Sequence, residues 1–265
     1  MKSGELQQLT GFALRLAEAA AAEILPHFRQ NVPIDIKAAE TWDPVTEGDR
    51  AGERALRQMI EKHYPSHGII GEEYGNKDSN SGLTWILDPV DGTRAFVIGL
   101  PTWATLIGLY ADGKPLLGVM SQPFIGDTFF GNPEGAWLNH RGTQHTIKVG
   151  PTRQLSASMG GTTSPHLYRG DDGKAFDRLR NGMTTMRYGL DCYSYGLLAS
   201  GHLDIAMDPG LQIYDIAALI PIMTGAGAVI SSWSGNDPSN GGNIIAASSQ
   251  SLLDEALRTM QGATG

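Results

Sequence analysis

Residues 85–93 read Trp85-Ile86-Leu87-Asp88-Pro89-Val90-Asp91-Gly92-Thr93. Three apolar residues run directly into two acids three positions apart, the pattern of a buried strand that ends at a charged turn. Pro89 stiffens the exit and Gly92 permits a close reversal of the chain. Such a turn can aim both carboxylates and the Val90 carbonyl at one point. Oxygen-only ligands are what a hard divalent cation such as Mg²⁺ prefers. If a helix starts at the turn, Gly92 and Thr93 also offer backbone N–H groups to an anion. Read alone, the same residues equally describe two aspartates capping a turn.

Working outward, three more acidic stretches sit at the ends of apolar segments. Gly71-Glu72-Glu73 follows the run Gly68-Ile69-Ile70, Asp43-Pro44-Val45-Thr46-Glu47-Gly48-Asp49 precedes a helix, and Tyr214-Asp215 opens an apolar, small-residue helix. Leu6, Leu9, Ala13, Leu16, Ala17 and Ala20 recur at three- and four-residue spacing, which predicts a helix from Glu5 to Leu25 ended by Pro26. A second helix is predicted from Asp49 to Tyr64. Trp85–Leu87, Thr105–Tyr110 and Leu116–Ser121 read as strands, Asp112-Gly113-Lys114 as a hairpin turn, and Gly131–Ile147 as further meander turning at Arg141-Gly142. After about Gly150 short strands and helices alternate, with helices expected over Asp191–Gly201 and Asp215–Gly225. Strands are expected over Asp204–Met207, Ala228–Trp233 and Asn243–Ala247.

The composition is that of a globular chain, 41% hydrophobic and 18% charged over 265 residues. A net charge of -8 argues against a broad nucleic-acid surface, and it requires a local cation wherever an anionic substrate binds. No stretch reads as a signal-peptide core or a membrane span, so a cytoplasmic location is expected. The single cysteine, Cys192, excludes an intramolecular disulfide. It lacks the flanking phosphate loop of a cysteine phosphatase and reads as a packed core thiol. The seven histidines show no pair at metal-ligand spacing, and none is assigned to catalysis. Trp103 and Trp137 fall in strand patterns and read as core or interface. Asp43 to Asp49 is too short for an EF-hand loop and lacks its terminal glutamate.

Gly71-Glu72-Glu73, Asp88-Pro89-Val90-Asp91-Gly92-Thr93 and Tyr214-Asp215-Ile216-Ala217-Ala218, in that order, resemble the markers of the inositol monophosphatase family, a superfamily of metal-dependent phosphatases. The resemblance runs from Asp43 through Ala247. It implies an α/β (α+β) fold, the layered αβαβα sandwich, commonly a homodimer. The chain is then one unit over 1–265, with sub-domains at about 1–148 (helices on an antiparallel sheet) and 149–265 (α/β). Carried across motif by motif, the family roles put a first Mg²⁺ on Glu72, Asp88 and the Val90 carbonyl. A second falls on Asp88, Asp91 and Asp215, and a weaker third is reached from Glu72 through water. Thr93, paired with Asp49, orients and deprotonates the attacking water, so Asp49, Thr93 and Glu72 are the expected catalytic residues. The Gly92 and Thr93 amides hold phosphate oxygens.

Within the family the chain is most similar to the bacterial histidinol-phosphate phosphatases. The resemblance rests on Asp91-Gly92-Thr93-Arg94-Ala95-Phe96, Asp191-Cys192-Tyr193-Ser194-Tyr195-Gly196 and Gly210-Leu211-Gln212-Ile213-Tyr214-Asp215. The substrate chemistry agrees with this: histidinol phosphate carries an ammonium and an imidazole, and Asp191 and Asp208 supply acids that a neutral polyol has less use for. Asp191 also reads as a helix N-cap and Asp208 as a turn residue before Pro209-Gly210. Arg94 is a candidate phosphate or pocket-edge contact, or else a solvated surface arginine. Inositol monophosphate, fructose bisphosphate and 3′-phosphoadenosine nucleotides stay open as substrates of the same fold. A non-catalytic metabolite binder is the reading from a different class.

Overall fold

The computed structural model describes residues 3–30, 33–38 and 42–262. The outermost residues of the unit expected over 1–265 lie outside these. Five layers stack, as the resemblance implied. The helices Ser3–Ile24 and Glu47–His63 cover one face of an eight-stranded sheet. The short helices Tyr193–Ala199, Ile213–Ile216 and Leu219–Gly225 fill the space between this sheet and a five-stranded one. The helices Gly170–Gly182 and Gln250–Gln261 close the far side. A further two-stranded hairpin, Ile34–Ala38 with Asp43–Thr46, lies outside both sheets.

Period-two alternation assigns each residue to a layer. In the strand Leu83–Asp91, Trp85 and Leu87 pack under the outer helices while Ile86 faces inward. In the second sheet Ile205 and Met207 pack on the outer helices, whereas Ala206 points into the middle layer. The amphipathic helix predicted over Glu5–Leu25 spans Ser3–Ile24 and buries Leu6, Leu9, Ala13, Leu16, Ala17 and Ala20. The helix predicted from Asp49 starts two residues earlier, at Glu47. There Thr46 and Asp49 exchange capping hydrogen bonds across the first turn. Both predicted hairpin turns carry the left-handed pair that a two-residue loop requires: Asp112 at φ 49 with Gly113 at 77, and Arg141 at 49 with Gly142 at 85.

The strand Leu83–Asp91 runs between Gly68–Gly71, parallel, and Ala104–Ala111, antiparallel. Three glycines in register across the next strands, Gly108, Gly118 and Gly131, form a trough on the inner face. The backbone of residues 217–222 lies in it. A Cβ on Gly108 would stand 2.8 Å from the Ala217 Cβ, and one on Gly118 or Gly131 would overlap the carbonyl oxygen of Ala218 or Pro221. This contact seats the segment that follows Asp215 flush against the sheet that carries Asp88. No helix among the described residues is long and apolar enough to cross a membrane.

Candidate active site

In an unbroken strand Asp88 and Asp91, an odd number of residues apart, would point to opposite faces. The pairing with Ala104–Ala111 slips between them: Asp88 faces Leu106 and Asp91 faces Ala104, three residues against two. This bulge, built on a proline that has no N–H to contribute, turns Asp91 to the side of Asp88. The Thr105 hydroxyl secures it by donating to the Pro89 carbonyl at 2.8 Å. Gly92 then reverses the chain at φ 83 into the helix Thr93–Ile98. Its missing side chain matters, because a Cβ there would stand 3.1 Å from the Asp191 Cβ.

Asp215 arrives from the other half of the chain on the helix Ile213–Ile216, with its Oδ2 accepting the Gln212 N–H at 2.6 Å. Carboxylate oxygens of Asp88, Asp91 and Asp215 lie within 4.8 Å of one another. Asp88 accepts the Val90 N–H at 3.0 Å and Asp91 the Cys192 N–H at 3.2 Å. These donors do not offset the crowding. Burial first, then repulsion from neighbouring carboxylates, holds Asp88 and Asp91 well above the usual range. Burial likewise pushes Asp215 up to about 7, against the Gln212 hydrogen bond that lowers it. A set of oxygen donors that resist ionising together fits a hard divalent cation, which would remove both the repulsion and the desolvation cost.

Glu72 follows the strand Gly68–Gly71, and its N–H continues the ladder by donating to the Leu87 carbonyl at 3.2 Å. It lines the same cleft and adds its charge beside Asp88, while its Oε1 accepts the Lys37 ammonium at 3.0 Å. Lys37 also donates to Glu73 at 2.5 Å. Burial alone would lower the Lys37 pKa; the two glutamates outweigh it and raise it. Glu73 itself is pushed up to about 7, chiefly by burial. The sequence offered no signal for Lys37, which reaches the site from the outlying hairpin.

Thr93 and Asp49 meet as expected. The Thr93 hydroxyl stands 3.0 Å from the Val90 carbonyl and 3.3 Å from Asp49 Oδ1. Its one proton serves either acceptor. Asp49 is fully buried, its Oδ2 gripped by the Thr46 N–H at 2.8 Å and the Thr46 hydroxyl at 2.6 Å. Burial raises its pKa although the Thr46 bonds pull it down. Exposed Arg94 donates from Nε to the Trp42 carbonyl at 3.1 Å.

The cleft, about 330 Å³, is closed on the opposite side by Thr163, Asp191, Asp208 and Gln212. Asp191 is not a helix cap, contrary to one of the expectations. The helix begins at Tyr193, and Asp191 precedes it in the left-handed region at φ 46, a conformation that aspartate tolerates better than most residues. Its Oδ2 accepts the Thr102 hydroxyl at 3.0 Å. Burial pushes its pKa up to about 6, while Thr102 and Arg94 restrain the rise. Asp208 lines the cleft but is already occupied: it accepts the Thr162 hydroxyl at 2.9 Å, the Thr163 N–H at 2.8 Å and the Tyr195 hydroxyl at 3.3 Å. Nothing in the sequence pairs Asp208 with two threonines more than forty positions away. Cys192 is buried, as its pattern suggested.

The family model described as the inositol monophosphatase family matches residues 5–263. A histidinol-phosphatase of Mycobacterium tuberculosis is 35% identical, over 92% of this chain and 95% of its own. The bifunctional phosphatase IMPL2, chloroplastic, of Arabidopsis thaliana is also 35% identical, over 97% of this chain and 76% of its own. Among solved structures, an inositol monophosphatase from Zymomonas mobilis matches with a TM-score of 0.86 at 36% identity, covering 98% of this chain and 100% of that one. Fold and site together are those of a metal-dependent hydrolase of small phosphate monoesters. The chain belongs to the inositol monophosphatase family.

Proposed function

We propose that this enzyme is a Mg²⁺-dependent histidinol-phosphate phosphatase that releases histidinol and phosphate. Asp88, Asp91 and Asp215, with Glu72 and the Val90 carbonyl, would hold two or three ions. When bound, the ions neutralise the dianionic ester, lower the pKa of water and stabilise the leaving alkoxide. The chain's own residues do the rest. The Thr93 hydroxyl accepts a hydrogen bond from the attacking water once its own proton points to Asp49. Asp49, kept basic by its raised pKa, receives the proton relayed through Thr93. The Gly92 and Thr93 amides take phosphate oxygens, and Arg94 stands at the rim of the same turn. Positioning and charge stabilisation thus replace a protein nucleophile.

The observation that carries the substrate assignment is Asp191. It lies over the Gly92 turn with one carboxylate oxygen committed to Thr102, and its other oxygen suits the ammonium of the substrate. Asp208, with three donors already in place, supports the wall behind it. The likeness to the M. tuberculosis histidinol-phosphatase supports this reading. The likeness to the Z. mobilis enzyme keeps inositol monophosphate as the alternative. We also take the active form to be a homodimer, which light scattering on the purified protein tests. The deciding experiment is phosphate release with Mg²⁺ from histidinol phosphate, inositol 1-phosphate, fructose 1,6-bisphosphate and 3′-phosphoadenosine phosphate. A preference of about 100-fold in kcat/KM for histidinol phosphate, about 2.7 kcal/mol, is expected. A flat or inositol-favouring profile would retain the phosphatase and remove the amine-recognition role from Asp191.

A further inference from the structure

Behind the cleft wall, away from the acidic cluster, lies a second hydrogen-bonded group that the mechanism does not use. Asp127 opens the strand Asp127–Asn132 and is buried at 6% exposure. Its register partner His140 ends the strand Gly135–His140, and His140 Nδ1 stands 2.5 Å from Asp127 Oδ1. The other oxygen, Oδ2, accepts a short hydrogen bond from the Tyr193 hydroxyl. Tyr193 is the first residue of the helix Tyr193–Ala199, and its ring stands edge-on to Phe129 at 5.8 Å.

Two residues before Tyr193 is Asp191, in a left-handed conformation that its surroundings hold. Three bonds do so. Thr102 binds the Asp191 side chain, the Cys192 N–H reaches Asp91, and Tyr193 is tied to Asp127. The first two each include a carboxylate that lines the cleft. The third is anchored in the sheet and is independent of the cleft's contents. A bond from tyrosine to a buried carboxylate is charge-assisted, stronger than one between neutral groups.

We propose that Tyr193 and Asp127 are positioning residues for substrate selection: their hydrogen bond fixes the turn that presents Asp191 to the cationic end of the substrate. This rests on the reading of Asp191 as the ammonium partner. Tyr193→Phe removes one hydroxyl and keeps the ring on Phe129. It should raise KM for histidinol phosphate about 10-fold with kcat little changed. For p-nitrophenyl phosphate, which has no ammonium, both constants should stay within about twofold. Asp127→Asn keeps an acceptor for the tyrosine and should restore most of the KM that Asp127→Ala loses. Melting curves confirm that each variant is folded.

Asp191→Ala separates the two claims. If it raises KM for histidinol phosphate alone and Tyr193→Phe does not, the positioning role is overturned and the substrate reading stands. Equal losses on both substrates in Tyr193→Phe would make the bond merely structural and also overturn the role. If Asp191→Ala leaves selectivity untouched, the substrate reading fails and the positioning role fails with it.

Discussion

Asp88 and Asp208 are equally hidden from solvent, 2% exposed each, yet they are held in opposite ways. Asp208 has the Thr162 hydroxyl, the Thr163 N–H and the Tyr195 hydroxyl directed at it. Asp88 has the Val90 N–H, and otherwise faces Glu72, Asp91 and Asp215, which repel its charge. Burial raises both carboxyls, and the donors limit the rise at Asp208 to about 7. Depth therefore does not tell a cation receptor from a structural strut; the neighbours do. A buried acid surrounded by donors is complete, whereas one surrounded by acids lacks a positive partner.

Substitution should break this pair in opposite directions. Asp88→Asn is expected to lower kcat/KM by roughly 10³-fold or more, about 4 kcal/mol, with an unchanged circular dichroism spectrum. In metal-free buffer it should unfold no earlier than the wild type, since it relieves repulsion. Turnover near the wild-type rate in that folded variant would end the assignment of the site. Asp208→Ala takes the shared acceptor from three donors, two of them buried, and should cost about 2–4 kcal/mol of stability, read as a lower urea midpoint. A midpoint equal to the wild type would show that Asp208 is no strut.

The smallest effect is one of pH. Asp215 and Asp208 both lie near 7 in the fold, far above the carboxylate range of the unfolded chain. The native state thus binds more protons than the unfolded state between about pH 4 and 7, so metal-free stability should fall as pH rises through that window. Cations compete with those protons at Asp215. Adding Mg²⁺ should therefore raise the melting temperature by a few degrees more at pH 8 than at pH 5.5. An identical rise at both values, measured against chelator, would remove the receptor half of the comparison.

The layers were legible because period-two and three-to-four spacing mark which face each residue buries. The acids were legible because each sits at an end of an apolar segment. Asp88 and Asp91 converge, but through a bulge that no count along the chain displays; regular strand geometry would have separated them. Asp191 looked like a cap because an acid before Tyr193-Ser194-Tyr195 fits that role, and its side-chain contacts with Gly92 and Thr102 come from far upstream in the chain. Lys37 and the Thr162–Asp208 bond were invisible for the same reason: they join segments whose proximity is created only by the tertiary fold. The helix Gln250–Gln261 carries its own local signals, a Ser249 cap and buried Leu252, Leu253, Ala256 and Met260.

The glycine trough has a bearing on inheritance. Asp215 and Asp88 come from distant parts of the gene, and their separation is set by bare backbone lying on bare backbone at Gly108, Gly118 and Gly131. A single added methyl group there would lift the 217–222 segment and carry Asp215 with it. Lineages that keep the chemistry are thus constrained at three positions that never touch substrate, and a screen for lost activity would return these glycines alongside the acids.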